Sequence, residues 1–85
     1  MIKFDGKKIA EDVTWGDLEI LEGGTHKSSI EVLSRFMLDE SGKPLTQAKA
    51  REVLRKLKPR EAGQVITDFY KALREGAINP PTADS

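Results

Sequence analysis

PREAGQVITDFYKALREG, residues 59–76, is the stretch on which the fold turns. Ala62, Val65, Ile66, Phe69 and Leu73 recur at intervals of three and four residues, so a helix here gathers them on one side, with Tyr70 at the margin. Pro59 has no N–H to donate and a φ already fixed near the helical value, which suits a first helical position. Gly76 reads as the terminator, and Gly63 as an internal glycine that costs roughly 1 kcal/mol against alanine. This is the most apolar face in the chain, and the rest of the fold must be arranged to cover it.

Working back from Pro59, a preceding helix breaks at Lys58, so the two helices meet at a tight corner. That helix is capped by Thr46, with Leu45 placed to staple onto Ala50, and Val53, Leu54 and Leu57 continue its apolar stripe. Ser41-Gly42-Lys43-Pro44 reads as a surface loop. Before it, Ser28 and Glu31 match a capping box, and Ile30, Leu33, Phe36 and Met37 follow at helical spacing up to about Asp39. Thr14 with Asp17 marks an earlier helix start, Trp15, Leu18 and Leu21 are assigned to one face, and Gly23-Gly24 ends it. At the start of the chain Ile2 and Phe4 alternate with polar residues, and Asp5-Gly6 suits a two-residue hairpin turn with Ile9 closing the pair.

The expected fold is therefore mainly α, a small bundle of about four helices over residues 14–22, 28–38, 46–57 and 59–75, with a minor N-terminal β-hairpin. Residues 1–76 form one domain. Residues 77–85, with Asn79-Pro80-Pro81, are expected to form a flexible tail. A chain of 85 residues buries only about 60 to 65% of the surface its unfolded form exposes, so its core is thin and association with a partner is a reasonable expectation.

The 14 Lys and Arg balance the 14 Asp and Glu, which argues against wholesale attraction to nucleic acid or an anionic membrane. The charges are nonetheless segregated. Residues 11–22 hold five acids (Glu11, Asp12, Asp17, Glu19, Glu22) and no base, whereas residues 43–60 hold seven bases against the single acid Glu52. Cysteine is absent, which excludes disulfides, thiolate catalysis and zinc–sulfur sites. The opening residues lack the apolar core of a signal peptide, and no apolar run approaches the ~20 residues that span a bilayer. A cytoplasmic protein that does not engage membranes is expected.

Little in the chain points to catalysis. His26 is the sole histidine and stands in an expected loop, and no Glu and His pattern of a di-iron bundle accompanies it. Asp39-Glu40-Ser41-Gly42 departs from a calcium loop, since the glycine comes too early and Lys43-Pro44 occupies ligand positions. Ser28 and Ser29 lack a glycine-flanked elbow, and Gly23-Gly24 lacks the lysine and spaced glycines of a phosphate loop. A non-enzymatic protein with no cofactor and no metal is expected. The basic face Lys49, Arg51, Arg55, Lys56 and Arg60, with Lys58, could contact phosphates, which keeps a small nucleic-acid-binding regulator as the alternative. Zero net charge and the few base-reading side chains on the last helix weigh against it. Trp15, Ile20, Leu38, Tyr70 and Ile78 fit a single core stripe least well. Trp15 is assigned to an irregular core, and Tyr70 and Ile78 to a surface patch.

The order Ile2-Lys3-Phe4-Asp5-Gly6-Lys7, then Thr14-Trp15-Gly16-Asp17-Leu18-Glu19, then capped helices and an Asn79-Pro80-Pro81 end, resembles the small tail assembly chaperones of long-tailed bacteriophages and prophages. The similarity spans most of the chain and rests on size, helix order and the Thr-Trp-Gly-Asp-Leu-Glu entry. The resemblance implies a helical protein, in the host cytoplasm if phage-encoded, that escorts the tape-measure protein and helps tail-tube subunits polymerise around it. Independently of it, the arc of Val65, Ile66, Phe69, Tyr70 and Leu73 is wider than one neighbouring helix hides, so these residues are expected to form a protein-binding surface oriented by the basic face. A second copy of the chain is the simplest partner.

Overall fold

The computed structural model describes residues 2–78, and among them five helices and two short strands follow in the order β1 (Lys3–Phe4), α1 (Gly6–Asp12), α2 (Trp15–Gly23), α3 (His26–Ser34), β2 (Met37–Leu38), α4 (Gln47–Arg55) and α5 (Pro59–Ile78). The mainly helical class with a minor antiparallel β pair near the N-terminus is as expected. The second strand of that pair is not. Lys3 pairs with Leu38 and Phe4 with Met37, so the chain closes over a long range instead of turning at Asp5-Gly6. Asp5 instead caps α1, its carboxylate accepting from the Lys8 N–H at 3.1 Å while its own N–H donates to the Phe36 carbonyl at 2.9 Å. Aspartate before glycine suits a helix cap as well as a turn, and a two-residue ladder against residues 36–38 leaves Ile9 to be buried completely on α1.

Two of the expected caps sit where their residues suggest. Thr14 and Asp17 form a reciprocal capping box, the Asp17 N–H donating to Thr14 Oγ1 at 3.1 Å and the Thr14 N–H to Asp17 Oδ2 at 3.0 Å. Thr46 accepts from the Lys49 N–H at 3.2 Å. The third cap moves upstream: Thr25, not Ser28, starts α3 and accepts from the Ser28 N–H at 3.1 Å. The helix also ends earlier, at Ser34, because residues 37–38 join the ladder to β1. Phe36 and Met37 still reach the core, but from the turn and strand rather than from a helix. Asp39 then organises the loop. Its Oδ1 accepts from Ser41 N–H, Ser41 hydroxyl and Lys43 N–H, and Gly42 takes a positive φ of 88°.

The core gathers around Phe69, which is fully buried on α5. Phe4 meets it edge-on at 5.5 Å between ring centroids, Phe36 lies tilted at 5.9 Å, and Tyr70 stands edge-on at 5.9 Å. Helix α5 runs past Gly76 to Ile78, so that glycine is not a terminator. It lies inside the helix where α1 crosses: a Cβ on Gly76 would fall onto the carbonyl group of Gly6, and one on Gly6 would lie 2.6 Å from the Ala72 carbonyl oxygen. Two glycines facing each other let the backbones touch. The expected tail lies, beyond Ile78, outside the described residues, as does the side chain of Ile78 itself. Among the described residues no helix is long and apolar enough to cross a membrane.

Candidate functional site

Helices α2 and α3, joined through Gly24, pack on each other, α4 packs on α3, and α5 leaves the α4 corner at Pro59. Between them lies an open hollow of ≈ 530 Å³. Its walls are Leu21 from α2, Ile30 and Leu33 from α3, Leu54 and Leu57 at the end of α4, and Ala62, Val65 and Ile66 from α5. Gly63 borders the hollow from α5, exposed, and a Cβ placed there would have nothing within 4 Å. The groove is thus apolar inside. Its rim is polar, with Glu22 and His26 on the α2–α3 side and Arg55 on the α4 side.

The rim has its own support. The Tyr70 hydroxyl donates to Glu22 Oε2 at 3.3 Å, and burial, reinforced by the nearby Glu22 carboxylate, raises the Tyr70 phenol above its ordinary value. On the opposite face of α2, Arg35 pairs with Asp17 at 2.6 Å. Burial alone would push the Asp17 carboxyl up, but the Thr14 N–H and the Arg35 guanidinium outweigh it and hold it below the usual range. Arg51 grips Glu31 with two hydrogen bonds, at 2.5 and 3.1 Å, fastening α4 to α3 and lowering the Glu31 carboxyl through that bond.

The five apolar residues assigned to a binding surface divide. Val65 and Phe69 are core residues, 6% and 0% exposed; Phe69 offers nothing to a partner, and Val65 meets one only where it lines the groove. Phe69 is covered because the β1–β2 pair brings Phe4 and Phe36 over it, closure from outside the helices that the α5 stripe alone does not reveal. Ile66, Tyr70 and Leu73 keep partial exposure, Ile66 in the groove wall and Tyr70 beside Glu22. The basic residues divide similarly. Arg51 is engaged with Glu31 and Lys49 lies 3.3 Å from Glu52, whereas Arg55, Lys56 and Arg60 are exposed, with Arg55 on the rim.

Trp15 is the main correction. It was assigned to the core, yet it is 91% exposed, the one large hydrophobic side chain so exposed among the described residues. The sequence does hold a signal. At about 100° per residue, Trp15 lies some 120° from Leu21 around α2 and falls between Glu19 and Glu22, on the charged side of the helix. The spacing of three residues links Trp15 to Leu18 and Leu18 to Leu21, but the drift over two steps carries Trp15 off the buried face. The single histidine, His26, stands exposed on the groove rim.

No protein-family model, curated protein or solved structure matches the chain.

Proposed function

We propose that the protein is a non-enzymatic assembly factor that holds an apolar helical segment of a partner protein in the groove between α2–α3 and α4–α5. The observation that carries this reading is the groove itself: an open, apolar hollow of ≈ 530 Å³ bordered by Glu22 on one side and Arg55 on the other. An apolar lining seats the i, i+4 side chains of an amphipathic helix, and rim charges of opposite sign fix its direction. The resemblance to tail assembly chaperones supplies the partner class: a helical segment of the tape-measure protein, escorted while tail-tube subunits gather. Such an escort works through contact and release. It needs no nucleophile, metal or cofactor.

Coexpression with the tape-measure and tail-tube proteins of a long-tailed phage tests the reading. The wild-type chain is expected to copurify with the tape-measure protein, and Gly63→Leu, which places an isobutyl group at the edge of the groove, is expected to lose it while keeping its helical circular dichroism spectrum. Undiminished capture by Gly63→Leu refutes the groove as the binding surface. Absence of any tail component with wild-type protein refutes the assembly role.

A further inference from the structure

The molecule carries a knob as well as a hole. Trp15 projects from the first turn of α2 with 91% of its surface exposed, and exposed acids, Glu11, Asp12 and Glu19, surround it in the sequence. The groove is apolar, large enough for an indole, and bordered at the end of α4 by Arg55, with the exposed bases Lys56, Lys58 and Arg60 following it in the chain. The acids around the knob and the bases at this one edge of the hole, opposite Glu22, are thus complementary. Both features belong to one helix: Trp15 opens α2, and Leu21 and Glu22 near its end border the groove, about 10 Å further along at 1.5 Å per residue.

We propose that the chain self-associates by inserting Trp15 of each copy into the groove of a second copy. Knob and hole lie at opposite ends of the same short helix, so a second copy with its α2 running antiparallel offers a groove to each indole. Two equal contacts then close across a two-fold axis. Tryptophan is the side chain most often found anchoring an interface, because it brings a large apolar area with few rotatable bonds. Arg55 and the bases after it meet the acids beside the incoming indole, which sets the direction of docking and makes it sensitive to salt. This inference rests on the groove being a recognition surface, as proposed above, and it names the occupant when the assembly partner is absent.

Trp15 is the only tryptophan in the chain, so its emission reports directly on the contact. As protein concentration is raised, the emission maximum of the wild-type chain is expected to shift to the blue while sedimentation shows a monomer becoming a dimer, both reversed by added salt. Trp15→Ser, at an almost fully exposed position, and Gly63→Leu, which adds an isobutyl group at the edge of the hole, are each expected to weaken dimerisation about thirtyfold or more. Mixing them decides the matter. Trp15→Ser keeps its groove and Gly63→Leu keeps its indole, so the mixture is expected to form a heterodimer and to shift the emission that neither variant alone shifts. A wild-type chain that stays monomeric with unshifted emission overturns the proposal, as does a Trp15→Ser chain that dimerises like wild type. Capture of the tape-measure protein separates the two readings: Trp15→Ser is expected to retain it, so loss of self-association leaves the escort role standing.

Discussion

Two alanine substitutions in one helix distinguish the packing from the propensity of α5. Gly63 and Gly76 both lie within Pro59–Ile78, and replacing either with alanine gains up to about 1 kcal/mol of helix propensity. At Gly63 nothing opposes the gain, because the added Cβ meets no atom within 4 Å; Gly63→Ala is expected to stabilise the protein by about 0.5–1 kcal/mol. At Gly76 the same methyl falls on the carbonyl group of Gly6, and the obstacle is backbone, which cannot swing aside. Helix α1 must withdraw, loosening Ile9 from full burial, and overpacking of this kind costs about 1–3 kcal/mol. The two variants should therefore differ by about 1–3 kcal/mol with opposite tertiary consequences. Urea denaturation at constant slope measures the difference, and each kcal/mol corresponds to roughly 4–8 °C in Tm for a domain of this size. Gly76→Ala as stable as Gly63→Ala would refute the described crossing of α1 and α5. Gly6→Ala, which meets the Ala72 carbonyl, should behave like Gly76→Ala.

Phe69→Ala empties the centre of the aromatic cluster and is expected to cost about 3–5 kcal/mol, whereas Trp15→Ser should stay within about 0.5 kcal/mol of wild type; chemical denaturation that ranks them in the reverse order exchanges core for surface. Asp17, Glu31 and Asp39 all titrate below their ordinary values in the folded chain, through the Thr14 and Arg35, the Arg51 and the Ser41 hydrogen bonds respectively. Their folded pKa values lie below the unfolded ones, so their contribution is complete above the ordinary carboxylate range near about 4 and is lost as pH falls through the depressed values. Thermal melts should be flat from neutrality to mild acid and fall below it, and a Tm unchanged down to pH ~2 contradicts the assignment. Duplex DNA should bind weakly and lose its affinity at moderate salt, since Arg51 and Lys49 already face acids of the chain; tight, sequence-dependent binding in a fluorescence titration would promote the regulator reading.

What the sequence disclosed was local. The Thr14–Asp17 capping box, the Thr46 cap, the break before Pro59 and the apolar stripe of α5 each depend on residues within a turn or two of one another, and each was legible. What it concealed was long-range. Asp5-Gly6 fits a hairpin turn and a helix cap equally well, and only the arrival of residues 36–38 beside Phe4 decides for the cap. The same pairing shortens α3 and buries Phe69, converting part of the expected binding surface into core. Gly76 misleads for a similar reason. A glycine near the end of a helix suits a terminator, and its role here, allowing α1 to approach, depends on Gly6, far away at the start of the chain. The groove was half visible: Ile66 and Arg55 belong to it, but Leu21, Ile30 and Leu57 converge on it only through the packing of α2, α3 and α4.

The groove follows from an imbalance of lengths. Helix α5 has twenty residues, about 30 Å, while α2, α3 and α4 have nine each, about 13 Å, and α1 only seven. The C-terminal half of α5 is covered by α1 through Gly6, and its middle by Phe4 and Phe36. The first two turns face the ends of the three short helices, which converge without closing. An alanine or leucine at position 63 would improve helix propensity without meeting any neighbour, so stability alone favours replacing the glycine. The chain instead places there, in the second turn of α5, the residue least suited to a helix after proline. A local choice that works against the fold, at the edge of an apolar hollow with charges of both signs on its rim, accords with the proposed use of the groove by an occupant.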